Sequence, residues 1–384
     1  MIKYFAVENF RSIKEENIVE FDAGLSKESP FIANPTIGIA GANASGKSSL
    51  LQAINFTLWF MQNSFLGWDP NEFIPLEPFI SCQDKQSKLH IIFAQQILVD
   101  KQNKYVDFEY ILYATREKVI TEELSYYPYK RKRLVYQRRL NKVKQGSTVN
   151  RLEKELWEDL RSNCSVVSLA SQYGTQDIAR ECIKYRSWSN LSYIGLRNND
   201  FHPRMLELLM HEHGFAKDNL IRFLKIADLG ISNFEITQKD FVKYLFFKHE
   251  IDSSVKDFDE RLESEGTRQF IAIMYEIIQS LSAGHLTILD EIEIKLHQNI
   301  VAYIIGLFQN KYENPHGAQL IFSFHNTYFM DILEPNQLWF TEKNDRGQTK
   351  IFSAADFKDI KKLQQRSLEE LYRLGRFGAK PRGI

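Results

Sequence analysis

The sequence lacks any apolar run of the roughly 18–20 residues that a bilayer crossing requires. The nearest candidate, Phe56 to Trp68, is short and broken by Gln62, Asn63 and Ser64. Cysteine is scarce too. Cys82, Cys164 and Cys182 form an odd set without metal-ligand spacing, and the start of the chain carries no signal-peptide pattern. Reduced structural thiols in a cytoplasmic protein without membrane contact are therefore expected. Neither charge is in excess, with 49 Lys and Arg against 49 Asp and Glu. Any contact with nucleic acid must then come from a local patch rather than a global field. Internal repeats, low-complexity tracts and long heptad arrays are also missing, which argues against solenoids and coiled-coil arms. What remains is a globular composition in 384 residues, a length that leaves room for more than one lobe, since single cores stop growing near ~250–300 residues.

Against that background Ile37 to Leu51 stands out. An apolar, strand-like run leads into Gly41-Ala42-Asn43-Ala44-Ser45-Gly46-Lys47-Ser48, and from Ser48 and Ser49 onward the pattern is helical. Gly41 and Gly46 let the backbone curl until its N–H groups converge on one anion nest. Lys47 is placed to reach β- and γ-phosphates, the Ser48 hydroxyl to ligate Mg²⁺, and the helix to add the positive end of its dipole. The alternative is a Gly/Ser-rich turn that only caps a helix.

Ile2 to Val7 and Asn17 to Phe21 read as short strands around a turn at Asn9-Phe10-Arg11-Ser12. Leu89 to Leu98, Tyr105 to Ala114 and Val119 to Tyr127 read as an antiparallel sheet. From about Asn150 to Ile226 the spacing predicts a helical insertion, with Met205, Leu206, Leu208 and Leu209 on one face and Leu220, Ile221, Phe223 and Leu224 on another. After Thr237 an α/β pattern returns, and from Ala354 a helix leads into a Gly-rich basic end. Leu286 to Leu289 and Gln319 to Phe324 suit a parallel sheet and end in Asp290-Glu291 and His325. The fold class is thus α/β, with these groups at one carboxyl edge of the sheet, where open α/β sheets bind ligands.

An acidic pair after an apolar strand is also a common way for a buried strand to reach solvent. Downstream of a phosphate loop it gains chemical sense. Asp290 offers Mg²⁺ a hard oxygen opposite Ser48, and Glu291 can polarise the attacking water as general base. Glu263-Ser264-Glu265-Gly266-Thr267 opens a helix with Ser264 as its N-cap. That helix is either an ordinary capped amphipathic one or one that aims its N-terminus and the Ser264 hydroxyl at a γ-phosphate.

Together these motifs resemble the ATP-binding-cassette superfamily in its SMC, RecF and OLD-like branch. Asn9-Phe10-Arg11-Ser12 resembles the opening of that branch, Asp290-Glu291 with Leu296-His297 its Walker B and D-loop, Ser264-Glu265-Gly266 its signature, and Phe324-His325-Asn326-Thr327 its switch-histidine strand. Trp339 to Lys343, Phe352 to Phe357 and Gly375 to Ala379 are similar to bacterial AbiL/RloA-type ATPases of phage-defence operons. The resemblance implies a P-loop fold of ABC-ATPase head type with a mixed central sheet. Its parts would be an N-terminal lobe with an antiparallel β subdomain over 1–149, a helical insertion over 150–235, a C-terminal lobe over 236–345 and a helical basic tail over 346–384. It further implies ATP hydrolysis with Mg²⁺, with Lys47, Glu291 and His325 catalytic. In the implied head-to-tail homodimer, open to higher assembly, Ser264 and Gly266 of one subunit complete the site around Gly41 to Ser49 of the other.

Arg11 is read either as a phosphate contact in cis or as an exposed turn arginine. The signature departs from the family's Ser-Gly-Gly-Gln, since Glu265 and Thr267 stand in it, and that carboxylate would weaken closure or slow turnover. For a Q-loop only Gln83 is a candidate. Too few residues follow His325 for the nuclease domain of OLD-like proteins. The resemblance therefore implies a companion effector, nuclease or toxin, governed by the ATPase cycle in anti-phage defence. An ATP-glued scaffold without turnover and a RecF-like DNA-repair ATPase stay open as alternatives. Lys130, Arg131, Lys132, Arg133, Arg138, Arg139, Lys142 and Lys144 form an acid-free segment with Tyr129 and Tyr136. It would either hold nucleic-acid phosphates or decorate a solvated hairpin or partner surface.

Overall fold

The computed structural model describes residues 1–99, 101–146, 160–172, 184–191, 215–227, 230–239, 242–252, 254–294, 296–357 and 367–379. The alternating and aromatic runs of the first third pair into one antiparallel sheet. Its strands are β1 (Ile2–Glu8), β2 (Asn17–Glu20), β4 (Ser87–Val99), β5 (Gln102–Ala114), β6 (Val119–Tyr127), β7 (Arg133–Arg139) and β8 (Lys142–Gln145), in the order 2-1-4-5-6-7-8. The helices described are α1 (Lys47–Gly67), α2 (Val166–Gln172), α3 (Phe215–Ile226), α4 (Glu265–Ala283), α5 (Gln298–Gln309) and α6 (Leu368–Arg373).

A second, mixed sheet positions the site. β3 (Thr36–Ala40), β9 (Ser187–Ser189), β13 (Leu286–Leu289), β14 (Gln319–Ser323), β15 (Leu338–Lys343) and β16 (Thr349–Ser353) run in the order 16-15-3-14-13-9, parallel throughout except between β15 and β16. Every residue of β3, β13 and β14 is buried. Strands covered on both faces read as continuous apolar runs, as these do. The pleat divides their side chains between two cores. Ile37, Ile39, Ile288, Ile321 and Trp339 pack with α1 and the antiparallel sheet, while Ala40, Leu289, Leu320, Phe322 and Phe340 pack with α4 and α5.

Three expectations need amendment. The insertion predicted over 150–235, including Met205 to Leu209, lies largely outside the described residues; what is described there includes the helices α2 and α3 but also β9, a strand on the edge of the central sheet. Between Ile226 and α4 stands an antiparallel meander, β10 (Ile231–Lys239), β11 (Val242–Ile251) and β12 (Ser254–Asp259), where a return to α/β was read. Buried Phe234, Leu245 and Phe247 seat it on the second core. The tail expected as helical over 346–384 begins with β16, a strand of the central sheet, and among the described residues continues with a 3-10 turn at Ala354–Asp356 and the short α6. Cys82 and Cys164 are buried free thiols, and Cys182 lies outside the described residues. No helix described is long and apolar enough to cross a membrane.

Candidate functional site

The loop from Gly41 to Gly46 joins the end of β3 to the start of α1, and its glycines are required twice over. Gly41 has φ +152° and Gly46 φ +113°. A Cβ on Gly41 would stand 2.4 Å from Thr341 O, and one on Gly46 2.3 Å from Thr349 Oγ1. Those neighbours hold the loop. Ser45 Oγ shares a hydrogen bond with Thr341 Oγ1 at 2.6 Å, and Thr349 Oγ1 donates to Ser45 O at 2.8 Å. Ser12 Oγ lies 2.9 Å from Ser49 Oγ, and the turn that presents it is tied by Asn9, whose amide donates to Cys82 O and Lys85 O and accepts from Phe79 N. Lys47 is buried, with Nζ donating to Gly41 O at 3.0 Å and Ala42 O at 3.2 Å. Burial pulls its pKa below the ordinary lysine value, against the opposing pull of Asp290, Glu291 and Glu293.

The carboxyl end of β13 meets this loop. Ser48 Oγ donates to Asp290 Oδ2 at 2.6 Å, joining residues 242 positions apart. Ser323 Oγ donates to Asp290 Oδ1 and accepts from Glu291 N. Asn190, just past β9, accepts from Asp290 N at 2.8 Å and donates to Asp290 O at 2.9 Å. Both carboxylate oxygens and the peptide of Asp290 are thereby fixed. Glu291 has φ +51°, a left-handed conformation that a non-glycine residue adopts only when its surroundings impose it. His325 Nε2 lies 3.4 Å from Glu291 Oε1, and Glu293 accepts from the backbone N–H groups of His325 and Asn326.

A cavity of about 750 Å³ opens over the loop, a size suited to a nucleotide-sized ligand. Asn43 to Ser49, Arg11, Glu291 and His325 line it, as do Ser12 and Lys343. Gly41 and Ala42 are joined to it through Lys47, and Asp290 through Ser48. Ser264 and Gly266 do not line it; Ser264 caps α4, accepting from Thr267 N at 3.0 Å. Arg11 lines the cavity while its guanidinium pairs with Glu77 at 2.8 Å. Gln83 does not line the cavity, and its amide donates to Pro78 O at 3.0 Å; Asn190 occupies the strand end beside Asp290. His297 caps α5 by accepting from Asn299 N.

The basic segment also needs correction. The pleat turns Arg138 inward, where it is fully buried and donates to Leu140 O, Cys164 O and Arg161 O beside Glu122. It cannot touch a nucleic acid. Lys132 pairs with Glu109 at 2.6 Å and Glu123 at 3.0 Å. Lys130, Arg131, Arg133, Arg139, Lys142 and Lys144 remain exposed.

Ser323 carried a sequence signal that was missed, a hydroxyl closing an apolar strand two residues before His325. Asn190, Thr341 and Thr349 carried none, because short polar residues at strand ends are common. Among the described residues no group of three or more His, Cys, Asp or Glu could hold a metal. A divalent ion here would rest on the Ser48 hydroxyl and the Asp290 carboxylate and complete its shell with phosphate and water oxygens, as Mg²⁺ usually does.

A family profile described as "AAA domain, putative AbiEii toxin, Type IV TA system" matches residues 37–331. Among solved structures the chain is similar to the SMC head domain from Thermotoga maritima, with 14% identity over 92% of this chain and 98% of that one and a TM-score of 0.43. It is likewise similar to the Smc head domain with a coiled coil and joint derived from Pyrococcus yayanosii, with 12% identity over 95% and 99% of the two chains and a TM-score of 0.47. Comparison with curated proteins finds no match.

Proposed function

This chain belongs to that AAA-domain family of ATP-binding, ATPase-type proteins, and from that premise we propose that it binds Mg-ATP at the 41–48 loop and hydrolyses it with Glu291 as general base. The observation that carries the reading is the Ser48–Asp290 hydrogen bond of 2.6 Å, which brings the loop and the acidic strand end to one point. The loop N–H groups and Lys47 bind the phosphates, and Ser48 and Asp290 hold Mg²⁺. When bound, Mg²⁺ neutralises charge that develops on the leaving phosphate. Glu291 takes the proton of the attacking water, and His325 orients that carboxylate.

Ser264 and Gly266 belong, in this reading, to the site of a partner subunit in a head-to-tail homodimer. That neither lines its own chain's cavity supports it, as does the α4 N-terminus that Ser264 caps. The toxin named in the family's description, with the AbiL/RloA-type motifs over 339–379, supports a role in anti-phage defence through a companion nuclease or toxin. Glu291→Gln is expected to lower turnover about 10²–10⁴-fold while ATP binding persists and the Mg-ATP complex gains the mass of a dimer. Retained turnover would contradict the assignment of Glu291. A wild type without turnover on any nucleotide would leave ATP as glue in a scaffold.

A further inference from the structure

Three cations face the loop cavity, Arg11, Lys47 and Lys343, against one lining carboxylate, Glu291. Two of the three are engaged within the chain: Arg11 with Glu77, and Lys47 with the Gly41 and Ala42 carbonyls. Lys343 is the exception. Among the described residues its ammonium has no carboxylate partner, and it is only half-buried. A cavity wall with a surplus of positive charge is suited to an anion.

The strand fixes where Lys343 points. β15 runs parallel to β3 with Phe340 opposite Ala40, so Thr341 falls beside the start of the loop and reaches Ser45 Oγ. Side chains two residues apart on a strand share a face. Lys343 therefore projects to the same side as Thr341, over the loop. Glu342 between them alternates to the opposite face, where a Cβ on Gly378 would lie 3.6 Å from its Oε2; it does not line the loop cavity but does line the neighbouring one. Lys343 also lines that neighbouring cavity, of about 670 Å³, which shares Asn43, Ala44, Ser45 and His325 with the first, so Lys343 and His325 border both.

We propose that Lys343 is a second phosphate-binding lysine, one that contacts the terminal phosphate of the bound nucleotide and so sets a preference for a triphosphate over a diphosphate. The proposal rests on the reading of the loop as a nucleotide site. Glu291 and His325 mark the end of the cavity where the terminal phosphate is attacked, and Lys343 borders the same two cavities as His325. Lys47, by contrast, serves the phosphates held within the loop. Removing Lys343 thus weakens the ligand that carries a third phosphate and spares the one that lacks it.

The test is equilibrium binding of a non-hydrolysable ATP analogue and of ADP, each with Mg²⁺, to the wild type and to Lys343→Met, Lys343→Arg and Lys47→Ala. Lys343→Met is expected to weaken the analogue about tenfold or more, the worth of a charge-assisted hydrogen bond, and to leave ADP within about twofold. Lys343→Arg should recover most of the loss. Equal losses for both nucleotides, or none, would overturn the proposal. If Lys47→Ala weakens both nucleotides while Lys343→Met weakens neither, only the Lys343 assignment fails. If the wild type binds neither nucleotide, or Lys47→Ala binds as well as wild type, the nucleotide site itself fails and Lys343 with it.

Discussion

Single residues carry their chemistry most clearly where one side chain must satisfy several neighbours. Glu109 accepts from Tyr127 OH at 2.7 Å and from Lys132 at 2.6 Å, and its other oxygen meets His90 Nε2 at 3.0 Å. These partners, His90 first, hold its pKa down at about 2 from the usual 4.5, against burial, which raises it. A depressed folded pKa gives stability that is complete above the unfolded value and fades as pH falls toward the folded one. Glu109→Gln is therefore expected to cost roughly 3 kcal/mol at neutral pH. In urea unfolding its gap from wild type should narrow between pH 4.5 and about 2; a gap independent of pH would contradict the assignment. The same logic explains which site residues could be read in advance. Gly41, Gly46, Lys47 and Ser48 were legible because backbone torsion, phosphate charge and metal preference each demand one residue type. Asn190 and Thr349 were not, since many short polar side chains could supply the bonds they make.

Elements were legible in proportion to their length and to the contrast between their faces. The fully buried strands β3, β13 and β14 and the long antiparallel strands β4, β5 and β6 followed from apolar runs and alternation. β9 did not, because Ser187, Trp188 and Ser189 are too few to show a period. The meander β10–β12 did not either, because a bulge after Ile231 breaks the alternation of β10 and the six residues of β12 include no buried one.

The basic hairpin shows the limit of counting charges, since alternation sends Arg138 inward while Arg139 stays exposed. Arg138 and Glu122 are each 0% exposed at 3.8 Å. Glu122 also accepts from Tyr110, Tyr136 and Ser165, which docks residues 161–166 on the sheet. Removing one partner of a buried pair leaves the other uncompensated, so Arg138→Met should destabilise by about 3–5 kcal/mol in chemical denaturation. The double variant with Glu122→Gln should recover part of that loss. A cost for Arg138→Met below about 1 kcal/mol would show that the pair is not what docks the segment.

At the scale of the whole molecule, the central sheet divides two cores and delivers their chemistry to one edge. β3 ends in the loop, β13 in Asp290-Glu291, β14 in His325 and β15 in Lys343. Four strand ends from distant stretches of chain converge there because neighbouring parallel strands finish on the same side. The signature segment at Ser264 does not line the cavity, and in the proposed dimer a second subunit would supply it. The most direct test of the convergence is equilibrium titration of ATP, with and without Mg²⁺, onto wild type and Asp290→Asn. The wild type should bind ATP more tightly when Mg²⁺ is present, and the variant should bind it equally well either way. A variant that gains as much from Mg²⁺ as the wild type would mean that Asp290 and the 41–48 loop do not share one metal and one triphosphate.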